Sequence, residues 1–231
     1  MTHLIVFAAV ALIAAPAFGT DDPEQAKIAA IVAPVAEAIA AEQAAQSRLP
    51  PPASTREKLE RMGRLDQAGR RAIGTIDFRQ LSIPDGRKVH DAIGEVIEPI
   101  DQANVEALLK IMPEQGWFTI GEFGAEASEA AFHIVQHSDL ALRKQVLPRL
   151  EPLAMTGEIR GDDFAALFDR VAIGEGRPQR YGTQYRCQEG KQVSYPIESI
   201  EKAEELRRAL NFEQSLAEAW AMQVGRPCAG G

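Results

Sequence analysis

His133 and His137 stand four positions apart in the stretch AFHIVQHSDL (131–140), with Ser138 and Asp139 directly after the second ring. On a helix, a step of about 100° per residue puts Ala127, Ala131, Ile134 and Val135 on one buried side and Glu129, His133 and His137 on the opposite, polar side. A rise of ~1.5 Å per residue separates the two histidines by about 6 Å, near enough to share one zinc ion, but leaves Glu129 about 12 Å from His137. A third ligand would have to come from another element, and the chain offers no H-E-x-x-H motif and no second histidine or cysteine cluster. No metal and no cofactor is assigned. His137 has a better case as an acid/base or hydrogen-bonding group, because an imidazole titrates near neutrality and Asp139 or another carboxylate can fix its tautomer. The competing reading is that Ser138 and Asp139 simply cap the next helix.

Along the rest of the chain, apolar spacing predicts mostly helices. Asp22-Pro23 opens an Ala-rich helix with Asp as N-cap, Ile28, Ile31, Val32, Val35 and Ile39 on one stripe, and Pro34 as a kink. LPPPAS (49–54) reads as an extended linker, so residues 20–53 form a leading arm that docks on the main domain or on a partner. Ser54 and Glu57 start a second helix through about Ala72, with Leu59, Met62 and Leu65 inward. A short strand is expected at 78–83, then a weak helix ended by Pro99, then a stronger one capped by Asp101 and running to Met112. Further helices are expected at about 124–138, 139–156 and 162–172, with two closing ones at 199–210 and 212–224. RYGTQYRCQEGKQVSYP alternates, with Tyr181, Thr183, Tyr185 and Cys187 on one face and Arg180, Gly182, Gln184 and Arg186 on the other. The expected fold is mainly α, a helical domain over 54–224 with one small β-hairpin near 180–196, followed by a tail over 225–231.

The 231-residue chain carries a formal charge of -8, which argues against nucleic-acid binding, since such proteins usually present a basic face. Its start is apolar from Leu4 to Ala15 and then turns small, so residues 1–19 read as a secretory signal cut near Gly19, although no Lys or Arg precedes the apolar run. That run is short against the ~20 residues of a membrane span, so no transmembrane segment is expected in the mature form, and the location is periplasmic or secreted. Cys187 and Cys228 fit an oxidising compartment, where a bridge would close a long loop and restrain the tail; pairing itself cannot be read from sequence.

Several separated stretches combine: LDQAGRR (65–71), GW (116–117), QHSD (136–139), LFDRVAIGEGRPQRYGTQ (167–184) and ELRRALNF (205–212). Together they resemble the bacterial domain-of-unknown-function family 6624, whose pattern runs D-Q-x-x-R, G-W, Q-H-x-D, then L-x-D-R-V with G-x-x-Q-x-Y-G-T-Q. The resemblance spans about Leu59 to Trp220 and marks Asp66, Gln67, Arg70, Trp117, Gln136, His137, Asp139, Asp169, Arg170, Gln179, Tyr181, Gly182, Thr183 and Gln184. His133 falls where the pattern asks for no histidine. Phe118, Phe168 and Asn211 depart from it, standing for a proline, a small polar residue and a glycine, which puts loop geometry in question more than chemistry. The family brings a fold expectation and a residue set without a reaction.

Such a polar set is either a binding site or a buried network that pairs every member, for instance Asp66 with Arg70 at i,i+4. The leading expectation is a non-catalytic envelope module that binds a small anionic ligand or another envelope protein. Gln136, Arg170, Arg180, Tyr181, Thr183 and Gln184 would contact the ligand, while Asp66, Arg70 and Trp117 would hold the fold. Residues 169–191 carry five Lys/Arg against three Asp/Glu, which motivates the anionic choice. The alternative is a hydrolase-like or group-transfer enzyme with His137 as general acid/base and Asp169 as its orienter or second carboxylate. No activated nucleophile is evident, so whether the chain is an enzyme stays open.

Overall fold

The structure, a computed structural model, describes residues 22–228. The signal expected over 1–19 lies outside the described residues, as does the end of the tail. The described residues form nine α-helices, one 3-10 turn and one two-stranded hairpin, the mainly helical class expected.

Helix α1 (Pro23–Ser47) starts where Asp22 Oδ1 accepts from the Glu24 N–H at 2.9 Å, with Pro23 in the first turn. Its length and apolar composition would suit a membrane span or a signal sequence, yet Val32, Val35 and Ile39 are buried against its neighbours. The leading helix is thus docked on the domain, and its apolar stripe is not free to act as an arm. Helix α2 (Thr55–Ile73), capped by Ser54, lies between α1 and α5 (Ala125–Gln136). Close packing on both sides is set by small residues: a Cβ on Gly69 would stand 2.9 Å from Ile39 of α1, and one on Gly63 would stand 2.5 Å from the Ala130 Cβ of α5.

Two expectations fail in the next stretch. Residues 78–83 form no strand: Phe78–Gln80 is a 3-10 turn, and Ser82 caps α3 (Ile83–Leu109), accepting from the Asp85 N–H at 3.2 Å. Helix α3 also runs through Pro99, so Asp101 lies inside it instead of capping a new helix. A proline within a helix costs about 3 kcal/mol. Burying Val89, Ile93, Ile97 and Ile100 along one stripe against α1 and α2 contributes roughly 1.5–3 kcal/mol per side chain, which outweighs the break.

After the short α4 (Ile120–Phe123) come α5, α6 (Leu140–Thr156) and α7 (Gly161–Gly174), near the expected bounds. A second core gathers Phe118, Phe132, Ile134, Val146, Leu150, Phe164 and Leu167 with Trp117 and Tyr181. The hairpin pairs β1 (Tyr185–Gln188) with β2 (Lys191–Ser194), Tyr185 opposite Ser194, through a two-residue turn at Glu189-Gly190 with both φ angles positive. Tyr181 and Thr183, expected on the strand, lie in the segment before it. Helices α8 (Ile200–Ala209) and α9 (Leu216–Gln223) close the chain. The tail then runs beside β2, with the Cys228 N–H donating to Gly190 O at 3.0 Å, and a disulfide joins Cys187 to Cys228.

Departures from the family pattern are absorbed locally. Asn211 takes the glycine position with φ of 57°, which asparagine tolerates better than most residues. Phe118 is buried edge-on against Phe123, and the Phe168 ring carries the Arg180 guanidinium 4.3 Å above its centre.

Candidate functional site

His137 is the residue at which α5 ends, and its ring turns toward α2. Nδ1 lies 3.0 Å from Oδ1 of Asp66, a fully buried carboxylate on the core side of α2. Asp66 holds three further contacts: its Oδ2 accepts from Gln67 Nε2 at 2.7 Å, and its Oδ1 and backbone carbonyl accept from Arg70 Nη1 at 3.2 and 2.8 Å. Arg70 Nη2 reaches Asp101 of α3 at 2.7 Å. Burial alone would raise the Asp66 pKa, but the hydrogen bond and charge of His137, with Arg70 and Gln67, hold it below the usual carboxylate range. An ionised Asp66 accepts, so Nδ1 carries a proton toward it, and Nε2 is the ring nitrogen that the carboxylate leaves free.

His137 also lines a groove of about 700 Å³ between α3 and the α5–α6 junction. One wall is Glu98, Asp101, Val105, Glu106 and Leu109 of α3; the other is Ser138, Asp139, Ala141, Leu142 and Gln145. Asp139 caps α6, accepting from the Leu142 N–H at 2.8 Å, which is the capping reading of Ser138-Asp139. The His133 ring stacks on His137 with centroids 6.1 Å apart, and burial pushes its pKa down. It is not part of the group whose ligand atoms come together, which is Asp66, Asp101 and His137, all within 4.8 Å of one another. Arg70 already bridges the two carboxylates of that group, so a positive charge occupies the place a cation would serve.

Asp169 stands elsewhere. Its carboxylate, with no exposed surface, accepts from the Arg180 N–H at 2.6 Å, the Tyr181 N–H at 3.0 Å, the Thr183 N–H at 2.9 Å and the Thr183 hydroxyl at 2.9 Å. Burial pushes its pKa up against the pull of those donors. The carboxylate that orients His137 is Asp66, and Asp169 is the latch of the segment leading into the hairpin. The reason is topological: α7 points Asp169 at a run of backbone N–H groups that no strand partner satisfies. Gln179 completes the latch from a fully buried position, donating to Gln184 O, Ser194 Oγ and Tyr195 O, while its Oε1 accepts from the Gln184 N–H at 2.9 Å.

The other expected site residues divide accordingly. Tyr181 is buried edge-on to Phe168, Thr183 bonds Asp169, and Gln184 Nε2 reaches Ala166 O at 3.4 Å, so all three belong to the latch. Arg180 pairs with Glu198 at 3.3 Å and stacks on Phe168. Trp117 is a core residue edge-on to Phe118. Gln136 sits half-buried at the end of α5, and Arg170 is half-buried on α7. The helix end bearing His137 and the Tyr-Gly segment therefore form two hydrogen-bonded networks, not one. Gln67 and Gln179, marked by the resemblance without a role, bond Asp66 and the hairpin segment, and Asp101 and Arg207 carry polar roles that the marked set did not include. Arg207, buried, donates to Tyr181 O at 3.1 Å and Gln214 O at 2.9 Å.

A family model described as a family of unknown function (DUF6624) matches residues 56–218. No curated protein and no solved structure matches the chain. The matched span takes in Asp66, Arg70, Asp101, His137 and the whole Asp169 latch, and the chain belongs to this family of unknown function, DUF6624.

Proposed function

We propose that the protein is a ligand-binding module of the cell envelope, with its site in the groove between α3 and the α5–α6 junction. The observation that carries this reading is the His137 ring. A buried carboxylate fixes one nitrogen at 3.0 Å, and the ring lines an open cavity of about 700 Å³ with the other nitrogen unclaimed. No group among the described residues bonds that second nitrogen, so it is available to a partner from outside the chain, water or ligand. The disulfide and the apolar N-terminal segment support a periplasmic or secreted location. The test is a fragment screen by NMR on the full chain. Hits are expected to shift the His137 Nε2 resonance and to be lost in Leu142→Trp, which fills the groove. Hits that never move the ring would remove the reading.

The same hydrogen bond favours a second reading, acid/base catalysis, because a carboxylate on Nδ1 fixes the ring's orientation and tautomer and leaves Nε2 to exchange a proton with a substrate. In it, His137 moves a proton at Nε2 and Asp66, not Asp169, is its orienter. An ester or phosphoester turnover that vanishes in His137→Ala and falls in Asp66→Asn, while folding persists, would favour it over binding alone.

A further inference from the structure

The groove beside His137 carries one sign of charge. Four carboxylates line it, those of Glu98, Asp101 and Glu106 on α3 and of Asp139 at the start of α6, and no lysine or arginine does. Asp139 is engaged as the α6 cap, and Asp101 Oδ2 accepts from Arg70. Glu98 accepts only a long bond from Gln102 at 3.4 Å, and among the described residues neither it nor Glu106 forms an ion pair. On other surfaces Glu24, Glu42 and Glu60 each face a lysine or arginine.

Asp101 adds an independent observation. Of the buried side-chain polar atoms without a partner among the described residues, its Oδ1 is the one acceptor; the others are N–H donors of arginine and tryptophan. Asp66 takes His137, Gln67 and Arg70 as side-chain donors, whereas Asp101 has Arg70 alone. A carboxylate oxygen withdrawn from water calls for a donor, and the groove that Asp101 lines is where one can enter. The donor would arrive beside the ring, because ligand atoms of Asp101 and His137 lie within 4.8 Å of each other.

The wall also selects what carries that donor. At ~1.5 Å per residue, Glu98 and Glu106 stand about 12 Å apart along α3. Apolar Val105 and Leu109 of the same wall, and Leu142 opposite, lie among these charges. Carboxylates spaced along an apolar groove match ammonium groups spaced by methylenes, which supply charge and apolar surface in one chain. One metal ion does not suit them, since the acids gathered within reach of a single ion are Asp66 and Asp101, which Arg70 already bridges. The basic stretch that suggested an anionic ligand lies outside the groove, with Arg177 paired to Glu175 and Arg180 to Glu198.

We infer that the groove's ligand is a linear polyamine, one ammonium donating to Asp101 beside His137, the others facing Glu98 and Glu106, and the methylenes lying on Val105, Leu109 and Leu142. The assignment rests on the groove being the binding site. The test titrates spermidine and butylamine, in separate arms at constant ionic strength against sodium chloride, into the full disulfide-bonded chain while its melting temperature and the His137 ring resonances are read. Spermidine is expected to give a saturable rise and to shift the ring, because a ligand bound to the native state raises its stability. Butylamine, with one charge, should bind several-fold more weakly. Glu98→Gln and Glu106→Gln, both at exposed positions, should each weaken the spermidine affinity about twofold to fivefold, the range of an exposed ion pair, and Leu142→Trp should abolish binding. A chain of formal charge -8 attracts polyamines diffusely, so a rise that persists unchanged in these variants overturns the inference. No saturable rise with spermidine, or butylamine binding as tightly, overturns it too. If uncharged fragments still move the His137 ring in that case, the groove reading stands without its polyamine; if nothing moves the ring, both fall.

Discussion

Replacing Asp169 by asparagine separates a latch from a catalytic carboxylate, because the two roles differ in what the substitution does to folding. The carboxylate accepts three backbone N–H groups and one hydroxyl from a position with no exposed surface. Asparagine keeps one oxygen and turns an NH2 toward N–H donors. One or two hydrogen bonds to a charged acceptor are lost, at roughly 1.5–3 kcal/mol each, and a donor left facing donors adds to that. Removing a buried charge that pairs with no cation offsets part of the loss, leaving a net destabilisation of about 3 kcal/mol. With a slope near 2 kcal/mol per molar urea, the unfolding midpoint should fall by about 1.5 M. Hydrogen exchange should show the amides of Arg180, Tyr181 and Thr183 losing protection first. A midpoint within about 0.5 M of wild type, with those amides still protected, refutes the latch and returns Asp169 to the list of groups free to do chemistry.

Two carboxylates should respond to pH with opposite signs. The Asp66 pKa is lowered in the folded state, so its contribution is present above about pH 4 and is lost as pH falls through the folded value; the stability gap between wild type and Asp66→Asn should shrink toward pH 2. Asp163 is pushed up to about 7, first by burial and then by Asp162, so its contribution is full below about pH 4 and is lost as pH rises through 7. Asp163→Asn should therefore gain on wild type in melting temperature between pH 5 and 8, and a difference that ignores pH would count against the assignment. Gly63→Ala places a Cβ 2.5 Å from Ala130 and should open the α2–α5 crossing at a cost of about 1–3 kcal/mol, with a changed His137 ring spectrum as the sign that Asp66 has moved away. Breaking the Cys187–Cys228 bridge, which spans 41 residues, should cost up to about 4 kcal/mol and free the strand-like tail; equal melting with and without reductant would contradict this.

Helices and hairpin were legible because their signals are local: caps at Asp22, Ser54 and Asp139, and apolar periodicity between them. The errors lie where a long-range term overrode a local one. Pro99 reads as a stop, yet the buried isoleucines on both sides of it carry α3 through. Residues 78–83 have strand-like composition, but Ser82 and Pro84 start a helix that α1 and α2 then hold in place.

The His137 centre was half legible, and the missing half had a signal of its own. Along α2 the buried positions include Leu59, Met62, Asp66 and Gly69, a helical stripe in which one charged residue takes an apolar residue's place. Along α3 the buried stripe of Ile97, Ile100, Asn104 and Leu108 holds a neutral polar residue, and the half-buried Asp101 lies beside it once Pro99 is no longer taken as the end. A carboxylate in the core phase of a helix must meet a donor from another element, since burying it unpaired is prohibitive. For Asp66 that donor is a side chain from a helix 71 positions away, and no spacing within α2 names it. Asp169 occupies the core phase of α7 in the same way, but its donors are backbone N–H groups, which every residue owns. Phase along a helix therefore identifies which acids are buried, whereas the partner's chemistry, an imidazole that titrates or an amide that does not, decides which of them can work on a ligand.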